Sequence, residues 1–371
     1  MIIIDSHLDL AWNALSWNRD LTKSVQEIRK AETGMSETTR AANTVAFPDM
    51  RKGKVAISLA TVLARARGAV DDNLDSRTIQ MAFVGDSRLD YGNQEMAYAV
   101  AQGQLAYYRV LESEGQVRMI KDWQQLEAHL SSWKEAGETA APLGFILSME
   151  GADPIVSPSQ VSKWWEDGLR VASLVHYGVS AYAHGTGTSG RLTDRGVELL
   201  KAMEEVGMVL DVTHLADESF WQAVEQFQGS VLASHNNCRA LVPGCRQFTD
   251  EQIRHLIQRD SVIGICCEDT MLYPGWILGE TSNSVVSLDA YVDHIDYVCQ
   301  LAGNTRHAAI GSDLDGGFGV ERCPRDLDTI ADLQKIPDLL RNRGYKEIDI
   351  EMIMHGNWVR FFKTAWDRGQ S

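Results

Sequence analysis

A single α/β domain, a (β/α)8 TIM barrel with insertions, is the architecture that these 371 residues call for. Three observations lead there. Short apolar β-rich runs recur eight times, amphipathic segments follow them, and histidines and carboxylates gather at the C-terminal ends of the runs. Apolar strands alternating with helices form a parallel sheet covered on both faces. Eight such units favour a closed barrel over an open sheet, and insertions carry such barrels from ~250 residues to beyond 400.

The runs fall at residues 2–5, 54–62 (KVAISLATV), 143–148, 169–175, 208–213, 230–234, 261–266 and 307–312. Helical periodicity marks residues 194–205, 217–228, 249–258 and 288–301. About eighty residues separate the second and third runs. They are assigned a long helix over 91–111 and an insertion near 65–90. Residues 348–367 read as a closing helix. No low-complexity segment, short repeat or linker divides the chain, so residues 1–371 are expected to form one barrel domain.

Composition narrows the function classes. Hydrophobic residues at 44% supply a core, which excludes disorder as the main state. A net charge of −16 argues against sequence-independent nucleic-acid binding and against docking on an anionic membrane. No window approaches ~18 uninterrupted apolar residues. The start, Met-Ile-Ile-Ile-Asp-Ser-His, has no basic segment leading into a long apolar one, so a cytoplasmic protein is expected. The six cysteines form no C-x-x-C pair and read as reduced core thiols.

In this barrel class the active site lies at the C-terminal strand ends. His7 and Asp9 close the first run, Glu150 the third, His176 the fourth, His214 the fifth, His235 the sixth, and Asp313 and Asp315 the eighth. His129, His255, His294 and His355 fall in helical segments and His307 begins a strand, so these five read as structural or surface residues. His184, in a Gly-rich loop, stays unassigned. Residues i and i+2 of an extended segment share a face, so His7 and Asp9 can reach one ion. Each residue alone says little; their joint placement is the signal. A histidine–carboxylate set without cysteine suits Zn²⁺ or a similar divalent ion. Five ligand candidates (His7, Asp9, Glu150, His214, His235) exceed one ion's need, which points to two metals sharing a carboxylate. Asp313, with Asp315 second, is placed to take a proton from metal-activated water and pass it to a leaving amine. Arg246, after the sixth strand, can clamp a small substrate's carboxylate.

The ordered set of D-S-H-L-D-L, S-M-E-G, G-L-R-V-A-S-L-V-H, L-T-D-R-G, V-L-D-V-T-H, A-S-H-N-N, G-S-D-L-D-G and G-N-W-V-R spans nearly the whole chain. It resembles the membrane dipeptidase (renal dipeptidase) family of the metal-dependent amidohydrolase superfamily. The steps from His214 to His235 and from His235 to Arg246 fit as well. The resemblance implies two zinc ions per chain, one held by His7, Asp9 and Glu150, the other by Glu150, His214 and His235. A hydroxide bridging the ions would attack the amide of a dipeptide with a free C-terminal carboxylate. His176 would contact substrate and steady the oxyanion, Asp313 would shuttle the proton, and Arg246 would bind the carboxylate. A homodimer is suggested on the same ground. The chain departs from the animal enzymes in lacking a leader and an anchor signal, so membrane attachment is not implied. Its loop over 183–191 is short and Gly-rich. The stretch 267–279 does not align with the family, and Tyr273 stands in only as a guess for the family's substrate-contacting tyrosine. A bacterial cytosolic dipeptidase is expected, with a D-residue at the C-terminal position as some bacterial relatives accept. The alternatives are a binuclear hydrolase of another amide, lactone or ester, and a barrel without catalysis.

Overall fold

The computed structural model describes residues 1–37, 39–66, 89–136 and 141–368. Eight parallel strands build the barrel: β1 (Ile3–Leu8), β2 (Val55–Leu63), β3 (Leu143–Glu150), β4 (Val171–Ser173), β5 (Val209–Asp211), β6 (Val231–Leu232), β7 (Ile263–Ile265) and β8 (Ala308–Ile310). All eight coincide with expected runs. Every residue of β1, β2 and β3 is buried, as a parallel sheet covered on both faces requires.

Backbone ladders connect β1 to β6 in chain order, and β7 to β8. A parallel bridge between Ala233 and Ile263 joins β6 to β7. From β8 back to β1 the seam is held by side chains. The Ser6 hydroxyl donates to the Ile310 carbonyl (3.0 Å) and reaches the Ser234 carbonyl (2.5 Å). The Asp5 carboxylate accepts from the Ser312 amide (2.9 Å) and hydroxyl (2.5 Å). Two glycines make room for this. A Cβ on Gly264 or Gly311 would lie 2.1 or 2.0 Å from the Ser234 carbonyl oxygen, well inside contact distance.

The outer helices follow local chemistry. Thr193 caps the helix Asp194–Val206 by accepting from the Gly196 amide, and Thr249 with Gln252 forms a capping box on Asp250–Gln258. The long helix begins at Gln94, later than expected, because Asn93 caps it and Asp90–Tyr91 is extended. That short strand pairs with Arg65–Ala66. Most of the expected insertion, residues 67–88, lies outside the described residues. The sequence reading missed a short strand, Val117–Met119, which pairs with the start of β3. The closing helix is interrupted: Glu347–Glu351 passes through a π-helical turn, Met352–Gly356, into Asn357–Arg368. All six cysteines are unpaired, five of them buried.

Candidate active site

Parallel strands end together, so residues far apart in sequence converge at one rim. Glu150, the last residue of β3, occupies the centre. Its Oε2 lies 3.5 Å from His7 Nε2. Its Oε1 lies 3.2 Å from His214 Nε2, 3.4 Å from His235 Nε2 and 3.6 Å from His176 Nε2. Asp9 Oδ2 and Asp313 Oδ1 face His7 Nε2 from 3.7 and 3.8 Å. One carboxylate thus turns its two oxygens to two different sets of ligands. His214 and Asp313 adopt left-handed backbone (φ 69° and 58°), uncommon for residues other than glycine though less so for Asp and His. Such strain is characteristic of functional sites.

A surrounding layer holds the ligands in place. His214 Nδ1 meets the Thr186 hydroxyl (2.9 Å), and His235 Nδ1 meets the Ser234 hydroxyl (2.9 Å). The Thr61 hydroxyl donates to Asp9 Oδ1, leaving Oδ2 turned to His7. Hydroxyls on the far ring nitrogens aim each Nε2 inward, the usual support for metal-ligating histidine.

The electrostatics call for a cation. Burial raises the pKa of Glu150 and holds that of Asp313 well above the carboxylate range, against the opposing pull of His7. Burial, aided by Arg246, pushes His214 and His235 well below the imidazole range. For His7 burial acts downward too, but Glu150 and Asp9 outweigh it and raise its pKa well above the usual value. His7 Nε2 is buried and lacks a hydrogen-bond partner. Three overlapping groups have ligand atoms within 4.8 Å of one another: His7–Glu150–His235, Glu150–His176–His214 and His7–Asp9–Asp313. Nitrogen and oxygen donors without sulfur fit a borderline divalent ion.

The cluster floors a cavity of about 660 Å³, counting space open to solvent at its mouth. Trp12, Trp17, Leu63 and Leu89 form an apolar wall, packed as a cluster separate from the main core. Arg246, Glu268 and Arg322 form an ionic side. Arg246 is anchored by the Asn236 side chain (2.7 Å) and the His235 carbonyl (2.9 Å). Arg322 donates to Glu268.

The structure corrects two sequence guesses. Tyr273 does not line the cavity: the chain turns into the helix Asp269–Leu272 directly after Glu268, leaving Tyr273 outside and 38% exposed. Glu268 takes the strand-seven place, a position that the strand-end rule would have found. Asp315 is a fastening rather than a second shuttle, because its carboxylate accepts from the Thr44 amide (2.6 Å), the Thr44 hydroxyl (2.8 Å) and the Val45 amide (3.0 Å). Leu63 and Arg65 were missed although they stand at and just past the end of β2, and Trp12, Trp17, Leu89 and Arg322 were missed because they lie in helices and loops with no strand-end signature. His184 packs against Gly190 outside the cavity. Buried His129 bonds to the Ala56 carbonyl (3.0 Å), and burial lowers its pKa to about 4.

A parallel barrel whose rim carries this carboxylate–imidazole cluster defines the class of metal-dependent hydrolase barrels. Within that class, the model of the membrane dipeptidase family (peptidase family M19) matches residues 1–370, and the chain belongs to that family. It is 29% identical over 208 residues to an uncharacterized protein of Klebsiella pneumoniae, covering 56% of this chain and 72% of that one. It is 27% identical over 234 residues to an uncharacterized dipeptidase of Schizosaccharomyces pombe, covering 61% of this chain and 54% of that one. It is 29% identical over 223 residues to dipeptidase aclJ of Aspergillus oryzae, covering 58% of this chain and 50% of that one. The chain thus spans about half the length of the last two relatives. Its fold matches a metallo peptidase from Rhodobacter sphaeroides liganded with a phosphinate mimic of L-Ala-D-Ala, with a TM-score of 0.77 at 18% identity over 99% of both chains. It also matches the probable dipeptidase PvdM of Pseudomonas aeruginosa, with a TM-score of 0.78 at 16% identity over 99% of this chain and 96% of that one.

Proposed function

We propose that the protein is a zinc-dependent dipeptidase acting on dipeptides with a free C-terminal carboxylate. The carrying observation is Glu150, whose two oxygens face separate imidazole sets at the floor of a cavity that also presents Arg246. In this reading His7, Asp9 and Glu150 hold one divalent ion and Glu150, His214 and His235 the other. Two such ions supply an activated water and polarise the amide carbonyl.

The chain's own side chains do the rest. Arg246 draws in the substrate carboxylate and sets the register of the peptide bond. His176 donates to the carbonyl oxygen as it gains charge. Asp313 accepts the proton that the attacking water releases as its oxygen bonds to carbon. It then delivers that proton to the amide nitrogen, and the carbon–nitrogen bond breaks to leave a free amine and a carboxylate. The wall of Trp12, Trp17, Leu63 and Leu89 supports a substrate with at least one apolar side chain, whose burial there is worth roughly 1.5–3 kcal/mol. A D-residue at the C-terminal position belongs to this reading, supported by the L-Ala-D-Ala mimic bound to the Rhodobacter sphaeroides relative. So does a reducing, cytoplasmic setting, supported by the six unpaired thiols.

Purified protein loaded with Zn²⁺ and given L-L and L-D dipeptides is expected to release free amino acids. Elemental analysis is expected to find about two metal ions per chain. Metal bound but no amino acid released from any dipeptide overturns the proposal.

A further inference from the structure

His176 stands where two roles compete. With Glu150 and His214 it belongs to a group close enough to hold a metal, yet it also faces the cavity as a donor. Its far ring nitrogen separates the two. Nδ1 of His176 lies 3.0 Å from Nη1 of Arg65. A guanidinium carries donors only and keeps its protons in proteins. Nδ1 must therefore accept, and the one N–H of the neutral ring lies on Nε2, which points at Glu150 Oε1 from 3.6 Å. A second ring proton would face the Arg65 cation across the same 3.0 Å. His214 and His235 differ. Their Nδ1 atoms meet hydroxyls, which accept as well as donate, so Nε2 keeps its lone pair for a metal.

Arg65 is built to stay in place. Its Nε and Nη2 form a two-pronged pair with Asp90, both at 2.9 Å. The strand it belongs to is stapled at both ends: its own amide bonds to the Leu89 carbonyl (2.8 Å), and the Ala66 amide to Asp153 (3.0 Å). Asp153 in turn accepts from the Ala181 amide in the loop after β4 (3.1 Å). One planar fork thus ties the end of β2 to the residue that ends the β4 run.

We infer that Arg65 is a positioning residue that locks His176 in its Nε2–H tautomer, withholding it from the metals and presenting it as the donor to the carbonyl oxygen under attack. The inference rests on the reading of the site as an amide hydrolase. A merely structural Arg65 would be indifferent to which ring nitrogen carries the proton.

Two measurements test it. In ¹⁵N-histidine spectra of the metal-loaded wild type, with His176→Gln used for assignment, His176 is expected to show a neutral ring protonated at Nε2. A proton at Nδ1, or a metal-bound Nε2, overturns the inference, and this reading needs no variant of Arg65 to fold. In kinetics, Arg65→Met is expected to lower kcat about 10²-fold with metal content unchanged and KM shifted less than about threefold. Arg65→Lys, which keeps a donor and a charge, is expected to recover about tenfold of that loss. In a His176→Ala background the same Arg65→Met change is expected to alter kcat by less than about twofold, because the two residues act as one unit. An undiminished effect in that background overturns the inference. A chain that shows the Nε2–H tautomer yet cleaves no dipeptide counts against the dipeptidase reading and supports this one.

Discussion

Asp313 and Arg246 divide the chemistry from the binding, and single substitutions separate them. Asp313→Asn keeps the shape and removes the base. It is expected to lower kcat by about 10²–10⁴-fold, with metal content by elemental analysis unchanged. Arg246→Ala removes a charged clamp worth roughly 1.5–3 kcal/mol, so KM for dipeptides is expected to rise about 10- to 100-fold. Dipeptide amides, which lack the carboxylate, are expected to lose little. An unchanged KM for the free dipeptides favours a hydrolase of another amide, lactone or ester. The ligand candidates were legible because each sits within four residues of the end of an apolar run, where a parallel barrel gathers its polar groups. Asp315 nearly shares that placement with Asp313, and sequence ranked it second without excluding it. Their difference is three hydrogen-bond donors from Thr44 and Val45, about 270 residues away in the chain.

The strands show how far periodicity reaches. All eight runs became strands, because a fully buried parallel strand is apolar on both faces and reads as an unbroken run. The seam between β8 and β1 was not readable, since it depends on Ser6, Asp5 and Ser312 meeting across the barrel with Gly264 and Gly311 beside them. Gly264→Ala is expected to destabilise the protein by about 1–3 kcal/mol or more, seen as a lowered Tm in thermal unfolding. Gly103 gives the contrast. It lies within the helix Gln94–Ser113 with nothing within 4 Å of an added Cβ, and Gly103→Ala is expected to raise stability by roughly 0.5–1 kcal/mol.

Across the molecule as a whole, buried charge makes stability depend on metal and on pH. Five buried side chains (His7, Asp9, Glu150, His214 and His235) crowd one floor, and two divalent ions would contribute four positive charges against the net −16. Removing metal with a chelator is expected to lower Tm, and restoring it to about 100-fold over its Kd to return about 2.7 kcal/mol per site. Asp269 adds a pH dependence of its own. It is fully buried, neither carboxylate oxygen has a hydrogen-bond partner, and burial, with Glu268 beside it, pushes its pKa up to about 8. Between the ordinary 3.8 and about 8 the folded chain keeps a proton that the unfolded chain has lost, so stability falls as pH rises through that window. Asp269→Asn removes this titration. Its stability relative to wild type is expected to grow by on the order of 2–4 kcal/mol between about pH 5 and 8.5, measured as the difference in Tm.

Two kinds of information meet in this chain. The runs of apolar residues, the helical periodicity and the polar residues just past each run act through neighbours in sequence, so they were readable one segment at a time. They sufficed for the barrel, for the ligand candidates and for Arg246. Which oxygen of Glu150 faces which imidazole, which of two aspartates lines the cavity, and which ring nitrogen of His176 carries the proton depend on contacts between residues tens to hundreds of positions apart. Those contacts exist only once the strands lie side by side, because the strength and direction of a hydrogen bond or ion pair depend on distances and angles that a linear order does not contain.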